Sequence, residues 1–427
     1  MATTSAPAPS TYSAPHRPAG VALLDAAARG ARRAGWDTGP LDAGRLVAAA
    51  SRRTGLSDLG GSSTLEPLQV LVESFSRDAA LTDFGRTLVS KILLGDIARR
   101  LRIVQELKAR PEVAQRAVVS PIFVVGLPRT GTTLLYNLLA QVPGARPLAG
   151  WEAMEPLAPR GLGRAVDPRR AKTAAVLRGL HYIAPDLEKV HPFSVDGPQE
   201  CLQLLARSFV SWSYLLLGAL HGYERWLWDA GDATFTASYQ LHRAQLQLLS
   251  DRDPVASPPA RWLLKSPAHL NALGPLLEVY PDACVVMTHR DLTKLMGSNS
   301  SLFAMTASLM SDAVDPHRLG RDMLARSTRT LERMTAVRER IPAQRVVDVQ
   351  YADIVSDPLG TVRRIHAHFG SAVPPEAEAA MRAYLADNPK DKHGAHRYSL
   401  EQFGLDPRQV EDQARAYHER FDVPPER

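Results

Sequence analysis

Residues 122–139 have the sequence IFVVGLPRTGTTLLYNLL, and they decide the fold of this chain of 427 residues. The first four residues are apolar without alternation, which is typical of a strand buried on both faces of a parallel sheet. A loop rich in glycine and threonine follows, and the leucines after it have the spacing of a buried helical stripe that ends near Pro143 and Gly144. Backbone N–H groups and the positive helix end meet in this loop, so we expect an anion to bind there.

The rest of the chain continues the alternation of strands and helices. Short apolar runs predict further strands at 262–264, 284–287 and 346–349, and helical spacing predicts helices at 319–340 and 362–369. This alternation predicts an α/β fold with a doubly wound, mostly parallel sheet.

The flanking regions have other compositions. Residues 1–20 are rich in Ala, Pro and Ser and are predicted to be a disordered leader, and 21–118 have the spacing of a helical N-terminal extension. The α/β domain is predicted at 119–427. It is interrupted at about 151–253 by a helical insertion with many aromatic residues, which we expect to cover the ligand site.

The loop at 126–133 has the spacing of a P-loop but not its lysine. Thr132 stands where that motif needs a lysine to reach the outer phosphates of a nucleoside triphosphate. The loop therefore predicts a P-loop-type nucleotide site and disfavours a nucleoside triphosphatase.

A second basic position follows another predicted strand. Arg290 lies three residues after the end of the predicted strand at 284–287, and Ser298 lies eight residues after Arg290. Open α/β sheets bind ligands at the carboxyl ends of their strands, and the guanidinium fork suits phosphate. The chain therefore predicts two anion sites at one edge of the sheet.

Several of these stretches resemble the sulfotransferases that use 3'-phosphoadenosine-5'-phosphosulfate (PAPS), especially the bacterial and tyrosylprotein branches. The matching segments cover roughly 122–420. They are the 5'-phosphosulfate loop (Arg129, Thr130, Gly131, Thr132, Thr133), the pair Arg290 and Ser298, the segment 263–267, the segment from Tyr351 to Pro358, and a segment at 390–405 that includes Lys392, His396, Arg397 and Tyr398.

The resemblance implies an enzyme with PAPS as its sulfuryl donor. Arg129 and the loop would bind the 5'-phosphate and assist catalysis, Arg290 and Ser298 would hold the 3'-phosphate, and Tyr351 would touch the nucleotide. Fixed cations and N–H groups can suffice for this reaction, so no metal is expected. The acceptor would be a hydroxyl or amine of a small molecule, lipid or glycan, which the residue types leave open.

A general base is also needed to take the proton of the acceptor. The resemblance favours Glu152, which follows the loop helix at about the place of the glutamate base in the tyrosylprotein enzymes. The spacing is two residues longer, so Glu155 is an alternative, and His191 and Glu200 are further candidates.

Composition excludes other classes. The 51 basic and 45 acidic residues are intermixed and give a net charge of +6, with no basic block that would predict nucleic-acid binding. No apolar stretch reaches the ~20 residues that a membrane span needs, and the two cysteines are predicted to be unpaired, so a cytoplasmic location is expected.

A P-loop kinase or a non-enzymatic adenine-nucleotide-binding protein is the alternative function.

Overall fold

The centre of the fold is a five-stranded parallel β-sheet. The computed structural model describes residues 18–35, 41–157, 167–187, 193–251, 261–389 and 398–426. Within these residues the strands are β1 (Ile122–Val125), β2 (Ala145–Pro147), β3 (Arg261–Lys265), β4 (Cys284–His289) and β5 (Val346–Gln350). Their spatial order is β2-β3-β1-β4-β5, and every neighbouring pair is parallel. The predicted doubly wound α/β fold is therefore confirmed.

The sequence predicts four of these strands and misses β2. This strand has three residues and pairs only with β3, at the edge of the sheet. It ends at Pro147, which lacks an N–H, so neither its length nor its composition resembles a buried strand.

Helices connect the strands and cover both faces of the sheet. Before β1 lie α1 (Ala19–Arg33), α2 (Ala43–Thr54), α3 (Leu65–Arg77) and α4 (Asp83–Ala109). Between β1 and β3 lie α5 (Thr132–Leu139), α6 (Gly150–Met154), α7 (Pro168–Ile183), α8 (Leu202–Ala206), α9 (His221–Asp229) and α10 (Asp232–Asp251). After β3 lie α11 (Leu273–Val279), α12 (Leu292–Ser308), α13 (Pro316–Arg338), α14 (Tyr351–Ser356), α15 (Pro358–His368), α16 (Pro375–Asp387) and α17 (Pro407–Phe421).

Some helix limits differ from the predicted ones. Helix α5 ends at Leu139, four residues before the expected Pro143-Gly144 stop, because a turn precedes β2. Of the predicted leader, residues 1–17 lie outside the described residues, and α1 already begins at Ala19. No helix within the described residues combines the length and apolar character that a bilayer crossing needs.

Side chains of the central strands alternate between two apolar cores. Phe123 and Val125 belong to a core formed with the N-terminal helices and with the helices between β2 and β3. Ile122 and Val124 point to the other face, into a core with α5, α15 and α16. Because both faces are covered, β1 is apolar at every position, which explains its unbroken apolar run.

A buried arginine joins the N-terminal helices to the segment between β2 and β3. Arg100 on α4 donates from Nε to the carbonyl of Leu59 at 2.7 Å, from Nη1 to the carbonyl of Arg207 at 3.0 Å and from Nη2 to Thr64 Oγ1 at 2.8 Å. Burial lowers the pKa of Arg100 to about 10. Arg207 in turn donates to the carbonyls of Ala153 and Met154 at the end of α6, so these contacts fix α6 beside the sheet.

Candidate active site

The loop between β1 and α5 is shaped by two glycines. A Cβ on Gly126 would lie 2.0 Å from Thr288 Oγ1 and 3.0 Å from the carbonyl oxygen of Thr288, so only glycine fits. Gly131 has φ +83°, and a Cβ there would lie 3.1 Å from the Tyr351 ring. The backbone of the loop therefore packs directly against the ends of β4 and β5, closer than a side chain would allow.

Thr130 holds this loop from inside. Its side chain is buried, its Oγ1 donates to the carbonyl of Leu127 at 2.7 Å, and it lies 2.7 Å from Thr288 Oγ1. Thr288 is near the end of β4, so the bond joins the loop to the strand that precedes Arg290. These contacts of the Thr130 hydroxyl hold the loop in its shape.

Helix α5 begins with N–H groups directed at the loop. Gly131 is its N-cap residue, and no side chain among the described residues caps this helix. The first turn contains Thr132, which is buried, and Thr133, which is exposed. Uncapped N–H groups at a helix start attract an anion through both hydrogen bonding and the helix dipole.

A buried lysine lies beside the same turn. Lys265, the last residue of β3, donates from Nζ to Thr133 Oγ1 at 3.1 Å and forms an ion pair with Glu200. The side chains of Lys265 and Glu200 are only 4% and 7% exposed. The sequence shows the strand but gives Lys265 no role, because only the parallel pairing of β3 with β1 brings it to the loop.

The other two glutamates considered as bases have different surroundings. Glu152 accepts hydrogen bonds from Arg146 at 2.9 and 3.1 Å and from the N–H of Ala149 at 3.1 Å, and it is 2% exposed. Arg146 also stacks on the ring of Trp262, with 3.9 Å from Cζ to the ring centroid. Both oxygens of Glu152 thus take part in a buried ion pair at the edge strand β2.

Glu155 lies one turn further, at the end of α6. Its carboxylate accepts from Lys172 Nζ at 3.1 Å and forms an ion pair with Arg99 of α4 at 3.5 Å. These contacts join α4, α6 and α7. His191 lies outside the described residues, as do Lys392, His396 and Arg397.

Arg290 connects the end of β4 to the loop. Its Nη1 donates to the carbonyl of Arg129 at 2.8 Å, and its guanidinium carbon lies 3.7 Å from the centroid of the Tyr351 ring. Arg129 has φ +73°, a strained value for a residue with a side chain, which turns this part of the loop toward Arg290. The Nε and Nη2 of Arg290 donate to the two carboxylate oxygens of Glu426, at 2.7 and 2.9 Å.

The residues behind Arg290 form a chain of hydrogen bonds that runs from the buried His289 to the more exposed Asp348 and Arg338. His289 bonds through Nε2 to Asp348 Oδ1 at 2.9 Å and through Nδ1 to the hydroxyl of Tyr417 at 3.2 Å. Asp348 accepts further bonds from Arg338, the shortest at 2.6 Å. The N–H of Arg290 donates to the same Tyr417 hydroxyl at 3.4 Å, so three distant segments fix the strand end.

Ser298 lies on the helix that begins just after Arg290. It is buried in the second turn of α12. The neighbouring Gly297 faces Tyr398, whose ring would lie 2.7 Å from a Cβ at that position. One region at the carboxyl edge of the sheet is thus surrounded by the loop, Arg290, Tyr351 and the start of α12. We call this region the cleft.

Comparison with known proteins identifies this arrangement. A model of the sulfotransferase family matches residues 121–375, more than half of the chain and including both strand-end sites. The chain belongs to the sulfotransferase family. It is therefore an enzyme that transfers sulfuryl groups, and the kinase and non-enzymatic alternatives are set aside.

The relatives of this sulfotransferase include solved mycobacterial structures. Sulfotransferase STF1 of Mycobacterium tuberculosis is 34% identical, with a TM-score of 0.77, over 88% of this chain and 99% of that one. Sulfotransferase STF9 of Mycobacterium avium is 29% identical, with a TM-score of 0.81, over 91% and 98%. The omega-hydroxy-beta-dihydromenaquinone-9 sulfotransferase of Mycobacterium bovis is 24% identical over 321 residues, 68% of this chain and 73% of that protein.

Family membership implies a sulfuryl donor of the PAPS kind. A nucleoside-triphosphate site of this architecture would have an acidic residue for Mg²⁺ at the end of a neighbouring strand. Here β3 ends with Lys265, and Arg290 follows β4. Among the described residues no group of His, Cys, Asp and Glu is arranged to hold a metal ion.

Proposed function

We propose that this sulfotransferase transfers the sulfuryl group of PAPS to a hydroxyl group of a small-molecule or lipid acceptor. The observation that carries the proposal is the hydrogen bond from Arg290 to the carbonyl of Arg129. It means that the uncapped start of α5 and the guanidinium at the end of β4 border the same cleft. Two anion-binding positions in one cleft suit a nucleotide with phosphate groups at both its 5' and 3' ends.

The residues around the cleft have distinct proposed roles. The N–H groups of Gly131, Thr132 and Thr133, with Arg129, would bind the 5'-phosphosulfate. Lys265 would stabilise the negative charge that develops on the bridging oxygen as the sulfuryl group leaves, because its Nζ already touches the first turn of α5.

At the other end of the cleft, Arg290 and Ser298 would hold the 3'-phosphate, and Tyr351 would contact the nucleotide. Arg290 offers the planar fork that phosphate recognition uses, and Tyr351 supports it from one face. Thr130 stays a predicted ligand of the phosphosulfate, and its hydroxyl also supports the loop from within through Leu127 and Thr288.

We propose Glu200 as the general base, in preference to Glu152. A base must reach the acceptor next to the sulfuryl group. Glu200 is linked to the loop through Lys265 and Thr133, whereas Glu152 accepts hydrogen bonds from Arg146 and from the N–H of Ala149 at the start of α6. When Lys265 turns to the bridging oxygen, its ion pair with Glu200 is broken, and the departure of a positive charge favours the uptake of a proton by a carboxylate.

The acceptor is proposed from the relatives. The Mycobacterium bovis relative is named for an omega-hydroxylated dihydromenaquinone, a lipid with a terminal hydroxyl. A hydroxylated, apolar acceptor is therefore our first choice, ahead of an amine or a glycan. A cytoplasmic location and the absence of a nucleic-acid partner stay predictions from composition.

Two measurements test the proposal. Thermal denaturation with 3',5'-ADP and with ATP plus Mg²⁺ compares the two nucleotide classes, since a ligand that binds the folded state raises the melting temperature. We expect 3',5'-ADP to stabilise the protein more, and the reverse order would contradict the proposal. Incubation with ³⁵S-labelled PAPS and a panel of hydroxylated quinones, sugars and amines then shows which class is labelled.

A further inference from the structure

The fork of Arg290 that should receive the 3'-phosphate is engaged by a carboxylate of the same chain. Glu426 accepts from Nε at 2.7 Å and from Nη2 at 2.9 Å, a bidentate arrangement. The two side chains are 18% and 28% exposed. Carboxylate and phosphate bind the guanidinium fork in the same way, so they compete for one edge of it.

The segment 422–426 is anchored so that Glu426 points into the cleft. Asp422 has φ +49°, which reverses the chain after α17, and the N–H of Val423 donates to the carbonyl of His418 at 3.0 Å. Val423 is buried, and two prolines stiffen the next step. The N–H of Glu426 then donates to Asp291 Oδ2 at 3.0 Å.

We propose that Glu426 takes the place of the nucleotide 3'-phosphate on Arg290 and is displaced by it, which makes Glu426 a specificity-determining residue. This inference rests on the proposed function, because it requires that Arg290 binds a 3'-phosphate. A nucleotide without that phosphate cannot displace Glu426 and gains nothing from Arg290. A 3'-phosphorylated nucleotide must release Glu426 first, and its dianionic phosphate then replaces a single negative charge.

The competition has a measurable size. When a binding site is free in only a fraction of the molecules, the apparent dissociation constant rises by the inverse of that fraction. If the fork of Arg290 is free in about one molecule in ten, removal of Glu426 strengthens binding about tenfold. The gain should be confined to ligands with a 3'-phosphate, because only these use the fork.

The experiment compares two nucleotides on three proteins: the natural chain, Glu426→Gln and the control Glu419→Gln. Glu419 is an exposed residue of α17, so its replacement removes the same charge from the same part of the chain. Isothermal titration calorimetry measures the affinities for 3',5'-ADP and 5'-AMP. We expect Glu426→Gln to bind 3',5'-ADP about tenfold more tightly and 5'-AMP as the natural chain does, with no change for Glu419→Gln.

Other outcomes would overturn the inference. If Glu426→Gln binds 3',5'-ADP less tightly, Glu426 positions Arg290 and does not compete. If both nucleotides gain equally, the effect is only that of removing a negative charge from the cleft. The melting temperature of each free protein shows that it is folded, and Glu426→Ala repeats the test if the glutamine still pairs with Arg290.

Failure of the proposed function would look different. In that case the natural chain and every variant would bind 3',5'-ADP no better than 5'-AMP, and the inference would fall with the function. If the natural chain prefers 3',5'-ADP but Glu426→Gln shows no gain, the proposed function stands and the inference about Glu426 is wrong.

Discussion

The two ends of the cleft are built in different ways. At the loop, we propose that backbone N–H groups within eight consecutive residues bind the anion. Two glycines and the hydroxyl of Thr130 fit this loop against Thr288 and Tyr351. At the end of β4, we propose that one side chain, that of Arg290, binds the anion. Its position depends on residues from β5, α14, α17 and the segment 422–426.

This difference has consequences for mutation and for regulation. A backbone site is difficult to alter by changing one side chain, unless the change adds a Cβ where the chain has none. A side-chain site can be tuned by any residue that pairs with it, and Arg290 already has such a partner in Glu426. We therefore expect a substitution in the loop either to leave anion binding unchanged or to abolish it. At the end of β4, we expect different substitutions to change the affinity by different amounts.

The largest expected effect is that of replacing the proposed general base. Glu200→Gln should lower turnover about 10²–10⁴-fold, the usual contribution of a general base, with little change in 3',5'-ADP affinity. Glu152→Gln should keep turnover within a few-fold but lower the melting temperature, because it weakens the buried pair with Arg146. Steady-state kinetics with PAPS and calorimetry distinguish these effects. The opposite pattern would restore Glu152 as the base.

The next effect tests the side-chain site. Arg290→Ala should weaken 3',5'-ADP binding by about 10–100-fold, since charged hydrogen bonds contribute about 1.5–3 kcal/mol. Arg290→Lys should recover only part of it, because an ammonium lacks the planar fork. The affinity for 5'-AMP, measured by calorimetry, should stay within about twofold in both variants. An equal loss for 5'-AMP would show that the two ends of the cleft are not separate.

A glycine substitution tests the backbone site. Gly126→Ala should lower the free energy of unfolding by about 1–3 kcal/mol, because the new Cβ would overlap Thr288. It should also weaken both 3',5'-ADP and 5'-AMP, in contrast to Arg290→Ala. Urea denaturation and calorimetry give the two quantities. Gly179→Ala in α7 is the matched control, since no heavy atom beyond the adjacent residues and the backbone of α7 lies within 4 Å of a Cβ there. Similar losses in both variants would contradict the close packing at Gly126.

The smallest effect concerns the support behind Arg290. Burial opposes ionisation of Asp348, but hydrogen bonds from His289 and Arg338 outweigh it and lower its pKa from 3.8 to about 2. Because the folded pKa is the lower one, the stabilisation is present above about pH 4 and is lost as the pH falls toward 2. After allowance for its partial exposure, Asp348→Asn should cost about 1–2 kcal/mol at pH 7.

Urea denaturation at several pH values checks this last prediction. The difference between the natural chain and Asp348→Asn should shrink as the pH falls below about 4. A difference that stays constant down to pH 2 would mean that the carboxylate charge does not stabilise this end of the sheet.

Local sequence was sufficient for the elements that form from consecutive residues. Residues 122–139 determine a strand, a loop with two glycines and a helix, because an apolar run, closely spaced glycines and a helical stripe each act within a few residues. The same holds for the strand that leads to Arg290, but not for β2, because an edge strand of three residues has no such pattern.

Tertiary structure alone decided which side chains meet in the cleft. Lys265 reaches Thr133 because β3 pairs with β1, and Glu426 reaches Arg290 across 136 positions of sequence. Glu152 and Glu200 are both plausible bases by position along the chain, and only their buried partners separate them. Hydrogen bonds and ion pairs between distant segments depend on how the sheet and helices pack, which no local pattern of residues specifies.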